Sequence, residues 1–114
     1  MTKDDYPVIA YKIMSYYYAC LKEGVEGNIT KAQELAGCND VYFRSVIDDL
    51  INNGYMAGST TLDFAQEITG SNLRITLKGT EYLQDNSTMA KVKKTLGKSF
   101  EVILQAAVTA TSLL

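Results

Sequence analysis

Asn39-Asp-Val-Tyr-Phe-Arg-Ser-Val-Ile-Asp-Asp-Leu-Ile-Asn-Asn-Gly-Tyr-Met-Ala57 is the stretch on which the fold turns. Phe43, Val46, Ile47, Leu50 and Ile51 recur at the three- and four-residue spacing that gathers apolar groups on one helical face. Asn39 or Asp40 can cap that helix by accepting a bond from the unpaired N–H groups of its first turn. Gly54, lacking a Cβ, suits the left-handed conformation that closes a helix. Tyr55 and Met56 then begin an extended segment.

Working upstream, Gly37-Cys38-Asn39 is a tight turn, preceded by a short helix from about Thr30 to Ala36 with Asn28 or Thr30 as its cap. Two helices joined by a short glycine-containing turn form a helix-turn-helix unit. The first helix is expected from about Pro7 to Glu23, capped by Asp4 or Asp5 and stopped by Gly24 or Gly27. It carries two apolar faces: Ile9, Ile13, Tyr17 and Cys20 on one, Tyr11, Met14, Tyr18 and Leu21 on the other. Such a helix must be covered on more than one side, by the C-terminal helix or by a second subunit. Tyr16-Tyr17-Tyr18 spreads over about 300° of arc at about 100° per residue. These tyrosines therefore read as packing residues before they read as a base-stacking platform.

Downstream, Tyr55 to Thr60 reads as a strand. Residues 62–70 and 73–77 complete a hairpin, with Gly70-Ser71-Asn72 as its tip. Leu73, Ile75 and Leu77 alternate with Arg74 and Thr76, the pattern of a half-buried strand. Lys78-Gly79 leads into a helix beginning near Thr80. Asp85-Asn86-Ser87 ends that helix and caps a last one, from about Thr88 towards Leu113, with Met89, Val92, Leu96, Phe100, Ile103, Ala107 and Ala110 on its stripe. The predicted fold is mainly α with a small antiparallel β-hairpin, as a domain over 1–86 followed by a trailing helix over 87–114.

The chain of 114 residues is 46% hydrophobic and 21% charged, the profile of one globular domain with a core of its own. Residues 1–86 hold 7 Lys/Arg against 12 Asp/Glu, and residues 87–114 hold 4 Lys and 1 Glu, so an acidic body carries a basic end. An acidic body does not gather the phosphate contacts that supply most non-specific affinity for nucleic acid. The N-terminus has no secretory apolar run, and Phe100–Leu114 falls short of the roughly 20 apolar residues of a spanning helix. A cytoplasmic location is expected, with Cys20 a small core hydrophobe and both thiols free.

Leu73-Arg-Ile-Thr-Leu-Lys-Gly-Thr-Glu-Tyr-Leu83 resembles the strand-to-helix junction that closes the wing of bacterial winged-helix proteins, the PadR and MarR groups among them. With Leu50-Ile-Asn-Asn-Gly-Tyr55 upstream and Asp85-Asn-Ser-Thr-Met-Ala-Lys-Val-Lys-Lys94 downstream, residues 8 to 98 resemble the YjcQ-type family. These are small winged-helix proteins of Gram-positive bacteria and their phages. The resemblance implies a helix-turn-helix core, a hairpin wing and trailing helices, without transferring a site residue by residue.

On such a frame the third helix would face DNA with Tyr42, Arg44 and Ser45, Arg44 suited to guanine and the hydroxyls to phosphate. Lys31, Arg74 and Lys78 would flank it, and Lys91, Lys93 and Lys94 (with Lys98) form the basic concentration of the last helix. Asp48 and Asp49 oppose a polyanion. That makes double-stranded DNA one expected partner in a regulatory role, and a protein docked on the acidic face the other. The lysines could also lie on an anionic membrane, although a polar outer face of a dimerisation helix is preferred. A homodimer is expected through Tyr11, Met14 and Tyr18 of the first helix with Phe100, Ile103, Leu104, Ala107 and Val108 of the last. Catalysis is not expected: histidine is absent, Cys38 has no cation beside it in sequence, and adjacent Asp48 and Asp49 point about 100° apart on a helix. Neither a cofactor motif nor a metal-ligand spacing is present.

Overall fold

The local signals around Asn39 are realised as predicted. The Asn39 side chain accepts a bond from the Tyr42 backbone N–H at 2.9 Å and starts α3, Asp40–Asn52. Phe43, Val46, Ile47 and Leu50 are buried on one face. Past Asn53, Gly54 takes φ +81°, and the Tyr55 N–H bonds back to the Leu50 carbonyl at 2.9 Å, closing the helix end. In the computed structural model, which describes residues 1–65 and 67–114, α3 is one of five helices beside a single two-stranded antiparallel sheet. The others are α1 (Tyr6–Glu23), α2 (Ile29–Ala36), α4 (Leu77–Asp85) and α5 (Ser87–Ser112), with β1 (Met56–Leu62) and β2 (Ile68–Ile75).

Helix α1 is the centre of the molecule, because α5, α2, α3, α4 and β2 all pack on it. Ile9, Ile13, Tyr17 and Cys20 of the first apolar face are buried within the chain, whereas on the second Met14 is buried, Tyr11 and Tyr18 are half-buried and Leu21 is 54% exposed. Asp5 stands at the cap position, but its carboxylate takes the Thr2 N–H at 2.9 Å rather than a helix N–H. Gly24 is the stop, and Gly27 instead lies so close to the Tyr17 ring that a Cβ there would sit 2.5 Å from it. Tyr16 and Tyr17 are buried and Tyr18 is half-buried, as packing residues should be. Tyr16 also carries a buried polar chain. The Asn28 N–H donates to its hydroxyl at 2.9 Å, and that hydroxyl meets Thr111 Oγ1 at 2.5 Å. Thr111 donates its own proton to the Ala107 carbonyl at 2.9 Å. One tyrosine thereby ties α1 to the cap of α2 and the far end of α5.

The hairpin differs from its prediction. β1 and β2 pair from Met56↔Ile75 to Leu62↔Ile68, so the tip is the segment after Leu62, where the Asp63 carboxylate accepts the Ala65 and Glu67 N–H groups, each at 2.9 Å. Gln66, inside the expected 62–70 strand, lies outside the described residues. Gly70-Ser71-Asn72 runs within β2 instead of turning. Its turn tendency is used for a bulge: Asn72 at φ +53° faces Gly58 at φ +115°, where the register shifts. A Cβ on Gly58 would meet the Ser71 and Asn72 carbonyl oxygens at 2.7 Å, so the close approach needs glycine.

The next junction also moves. Helix α4 begins at Leu77 rather than near Thr80, and Thr76 caps it: the Thr76 hydroxyl accepts the Gly79 N–H at 3.1 Å and donates to the Gly54 carbonyl at 2.6 Å. Leu73 and Ile75 are buried as the alternation requires, whereas Leu77 belongs to α4 and is exposed. Asn86 then caps α5 through the Thr88 and Met89 N–H groups.

Helix α5 is not continuous. Gly97 adopts φ +67° and ψ −165°, breaking the rod. The break resets the phase of the stripe. Met89 and Val92 are buried before it, and Phe100, Val108 and Thr111 after it, while Ile103, expected on the stripe, is 56% exposed. No helix among the described residues is long and apolar enough to cross a membrane.

Candidate functional site

The capped start of α3 projects Asp40, Val41, Arg44, Ser45 and Asp48 towards the distal half of the hairpin. Thr60 of β1 donates to the Asp48 carboxylate at 3.2 Å and fastens strand to helix. Between them lies a groove of about 480 Å³, floored by Val41 with the cross-strand pair Leu62 and Ile68. Val41 is 82% exposed, and Phe64, at the hairpin tip, is fully exposed. Arg44 reaches Asp48 at 3.8 Å, an ion pair on a partly exposed surface.

The other flank of α3 is covered by the chain's own N-terminus. Tyr6 donates from its hydroxyl to the Asp49 carboxylate, and that hydroxyl lies 3.4 Å from Ser45 Oγ. Its ring lies 5.8 Å from that of Tyr42, whose own hydroxyl donates to the Asp4 carbonyl at 2.5 Å. Burial, then the bond to Asp49, pushes the Tyr6 hydroxyl above the ordinary tyrosine range. Burial, helped by nearby Asp4, does the same to Tyr42. Two of the three residues expected to meet DNA from α3, Tyr42 and Ser45, thus contact Tyr6.

The remaining cations are dispersed. Lys31 pairs with Glu34 at 3.5 Å. Lys78 donates to the Asn53 carbonyl at 2.8 Å and lies 5.1 Å over the Tyr55 ring, a cation at the C-terminal end of α3. Tyr55 in turn stacks on Tyr82 at 4.3 Å. Arg74 is exposed and borders a different hollow with Glu26 and Asn72. Lys91, Lys93, Lys94 and Lys98 are all exposed on α5, which packs on α1, α2 and α4 rather than beside the α3 groove.

The side chains proposed for self-association largely meet one another within the chain. Met14, Phe100 and Val108 are buried, Tyr11 packs on Phe100 at 5.9 Å between ring centres, and Leu104 and Ala107 are half-buried in the same layer. Tyr18 accepts a bond from Gln84 at 3.5 Å and lies under Lys22 at 4.6 Å. Ile103 alone of that set stays exposed, beside Val102. The thiols also sit differently from their sequence context. Cys20 is buried, and Cys38 has Lys12 near it, yet burial outweighs that cation and holds both thiols above their ordinary range.

Sequence reasoning passed over Tyr6, Val41, Leu62, Phe64 and Ile68. Val41 was detectable as an apolar residue in the first turn of α3 but off its stripe. Phe64 gave no such signal, because the sequence places it in the 62–70 strand, where an aromatic is usual.

Comparison with known proteins adds a family. Residues 11–99 match the family model described as YjcQ protein. The chain is 32% identical over 79 residues to the uncharacterized protein YjcQ of Bacillus subtilis (strain 168), covering 69% of this chain and 84% of that protein. No solved structure matches it.

Proposed function

The chain belongs to the YjcQ family, and from that premise we propose that it is a non-catalytic winged-helix module that docks onto another protein through the α3–hairpin face. The observation carrying this reading is the charge of that face. Asp40 and Asp48 line its groove, Asp63 and Glu67 adjoin the lining residues Leu62 and Ile68 along the hairpin, and Arg44, the one cation in that lining, already leans on Asp48. An exposed pair of this kind contributes about 0–1 kcal/mol and could be opened. The surrounding carboxylates could not be removed so easily, and each would oppose a phosphate backbone. Tyr6 adds a second obstacle by lying against Tyr42, Ser45 and Asp49. The test is fluorescence anisotropy of labelled duplex DNA at low salt with the Arg44→Ala variant. Unchanged anisotropy relative to the parent chain is expected. A drop in duplex affinity of about tenfold or more, the size of a lost base contact, would end the protein-docking reading.

One observation favours a second reading, that of a DNA-binding regulator. The first ten residues of α5 and the turn after its break carry Lys91, Lys93, Lys94 and Lys98 with no acid before Glu101. These exposed lysines could grip phosphates without α3. In that case duplex binding would fall steeply with salt and vanish on reversing Lys91, Lys93 and Lys94 to Glu, while Arg44→Ala would leave it intact.

A further inference from the structure

We infer that the groove between α3 and the hairpin receives a basic segment of a partner protein, one in which a bulky apolar side chain is flanked by Lys or Arg. This rests on the protein-docking reading and names the chemistry of the partner. The floor of the groove is apolar and uncovered. Val41 has 82% of its surface exposed although it sits on a well-capped helix, and Phe64, two residues beyond the lining residue Leu62 at the hairpin tip, is wholly exposed. Leu62 and Ile68, paired across the two strands, continue the same surface. Apolar groups gathered in one groove, rather than scattered singly, mark a binding surface.

The rim decides what binds there. Asp40 and Asp48 border the groove on the helix side, and Asp63 and Glu67 stand at the hairpin tip next to Phe64. None of these four carboxylates is neutralised by a lysine among the described residues, and Arg44 reaches Asp48 alone. Complementarity therefore selects cations on the partner beside its apolar anchor. Duplex DNA and acidic peptides meet repulsion.

The experiment pans a random peptide library displayed on phage against the immobilised full chain. The enriched peptides are then synthesised and titrated by fluorescence anisotropy. Enrichment of Lys or Arg beside large apolar residues is expected, with affinity lowered about tenfold or more, as for loss of an interface anchor, by Val41→Asp and by Phe64→Ser. Both replace exposed side chains, and a circular dichroism spectrum checks that each variant is folded. Lys93→Ala should leave the affinity unchanged. Enriched peptides that are acidic or uncharged, or that bind Val41→Asp and Phe64→Ser as tightly as the parent, overturn the groove assignment while leaving protein docking standing. Self-association in sedimentation that Val41→Asp abolishes makes the occupant a second copy and overturns it too. No enrichment removes the assignment, and if labelled duplex then binds through Lys91, Lys93 and Lys94 the docking reading falls with it.

Discussion

At the scale of single residues, two adjacent tyrosines separate the contributions of burial and hydrogen bonding. Tyr16 has its hydroxyl inside a chain of bonds from Asn28 to Thr111, whereas the Tyr17 hydroxyl, equally buried, has no partner among the described residues. Removing a satisfied buried hydroxyl strands its partners, and removing an unsatisfied one relieves a desolvation cost. Tyr16→Phe should therefore destabilise the chain by about 1–3 kcal/mol in urea unfolding, while Tyr17→Phe should be neutral or stabilising. A double-mutant cycle of Tyr16→Phe with Thr111→Val should be non-additive, since the two share a bond. The same residues contribute to the response to alkali. Burial raises both hydroxyls above the ordinary value of 10.0, so the folded state holds protons that the unfolded state releases. Stability is then level below pH 10 and falls as pH rises above it, by up to about 1.4 kcal/mol per pH unit for each such group. Tyr17→Phe should flatten part of that decline in pH-dependent unfolding.

At the scale of elements, the turn-forming residues of this chain do several different jobs. Gly54 with its flanking bonds closes a helix, Gly58 with Asn72 makes a bulge inside a ladder, and Gly97 bends α5. Composition alone could not distinguish these uses, because a left-handed residue is needed in each. Gly97 offers a direct test. A Cβ there meets nothing within 4 Å, so the cost of Gly97→Ala is backbone strain alone. That strain is about 1–3 kcal/mol in the observed conformation. Alanine also favours a straight helix by about 1 kcal/mol over glycine. A straightened α5 would carry Phe100 and Val108 off α1, so the variant should melt earlier, with thermal denaturation followed by circular dichroism as the check.

At the scale of the whole molecule, α5 completes the core as well as trailing from it. Its second half packs on Tyr11 and Tyr16 and buries Phe100 and Val108 in return. A chain ending at Gly97 would expose that layer, and it should bind a hydrophobic dye and lose cooperative unfolding. The distribution of charge is a property at this scale too. Asp40 and Asp48 line the α3 groove beside Arg44, whereas Lys91, Lys93, Lys94 and Lys98 lie on α5, which packs on α1, α2 and α4.

Much of the architecture was legible from local order: the Asn39 and Asn86 caps, the α3 stripe, the Leu73–Ile75 alternation and the packing role of Tyr16 and Tyr17 depend on neighbours within a few residues. Those signals are short-ranged, and the sequence holds them whole. The hairpin tip, the start of α4, the break at Gly97 and the Tyr6 contact across α3 had to wait for the fold. Each depends on which of several competent residues meets a distant partner, as when Thr76 finds the Gly54 carbonyl or Tyr6 finds Asp49. The apolar groove belongs to the same class, because Val41 and Leu62 are ordinary residues until the hairpin is laid beside α3.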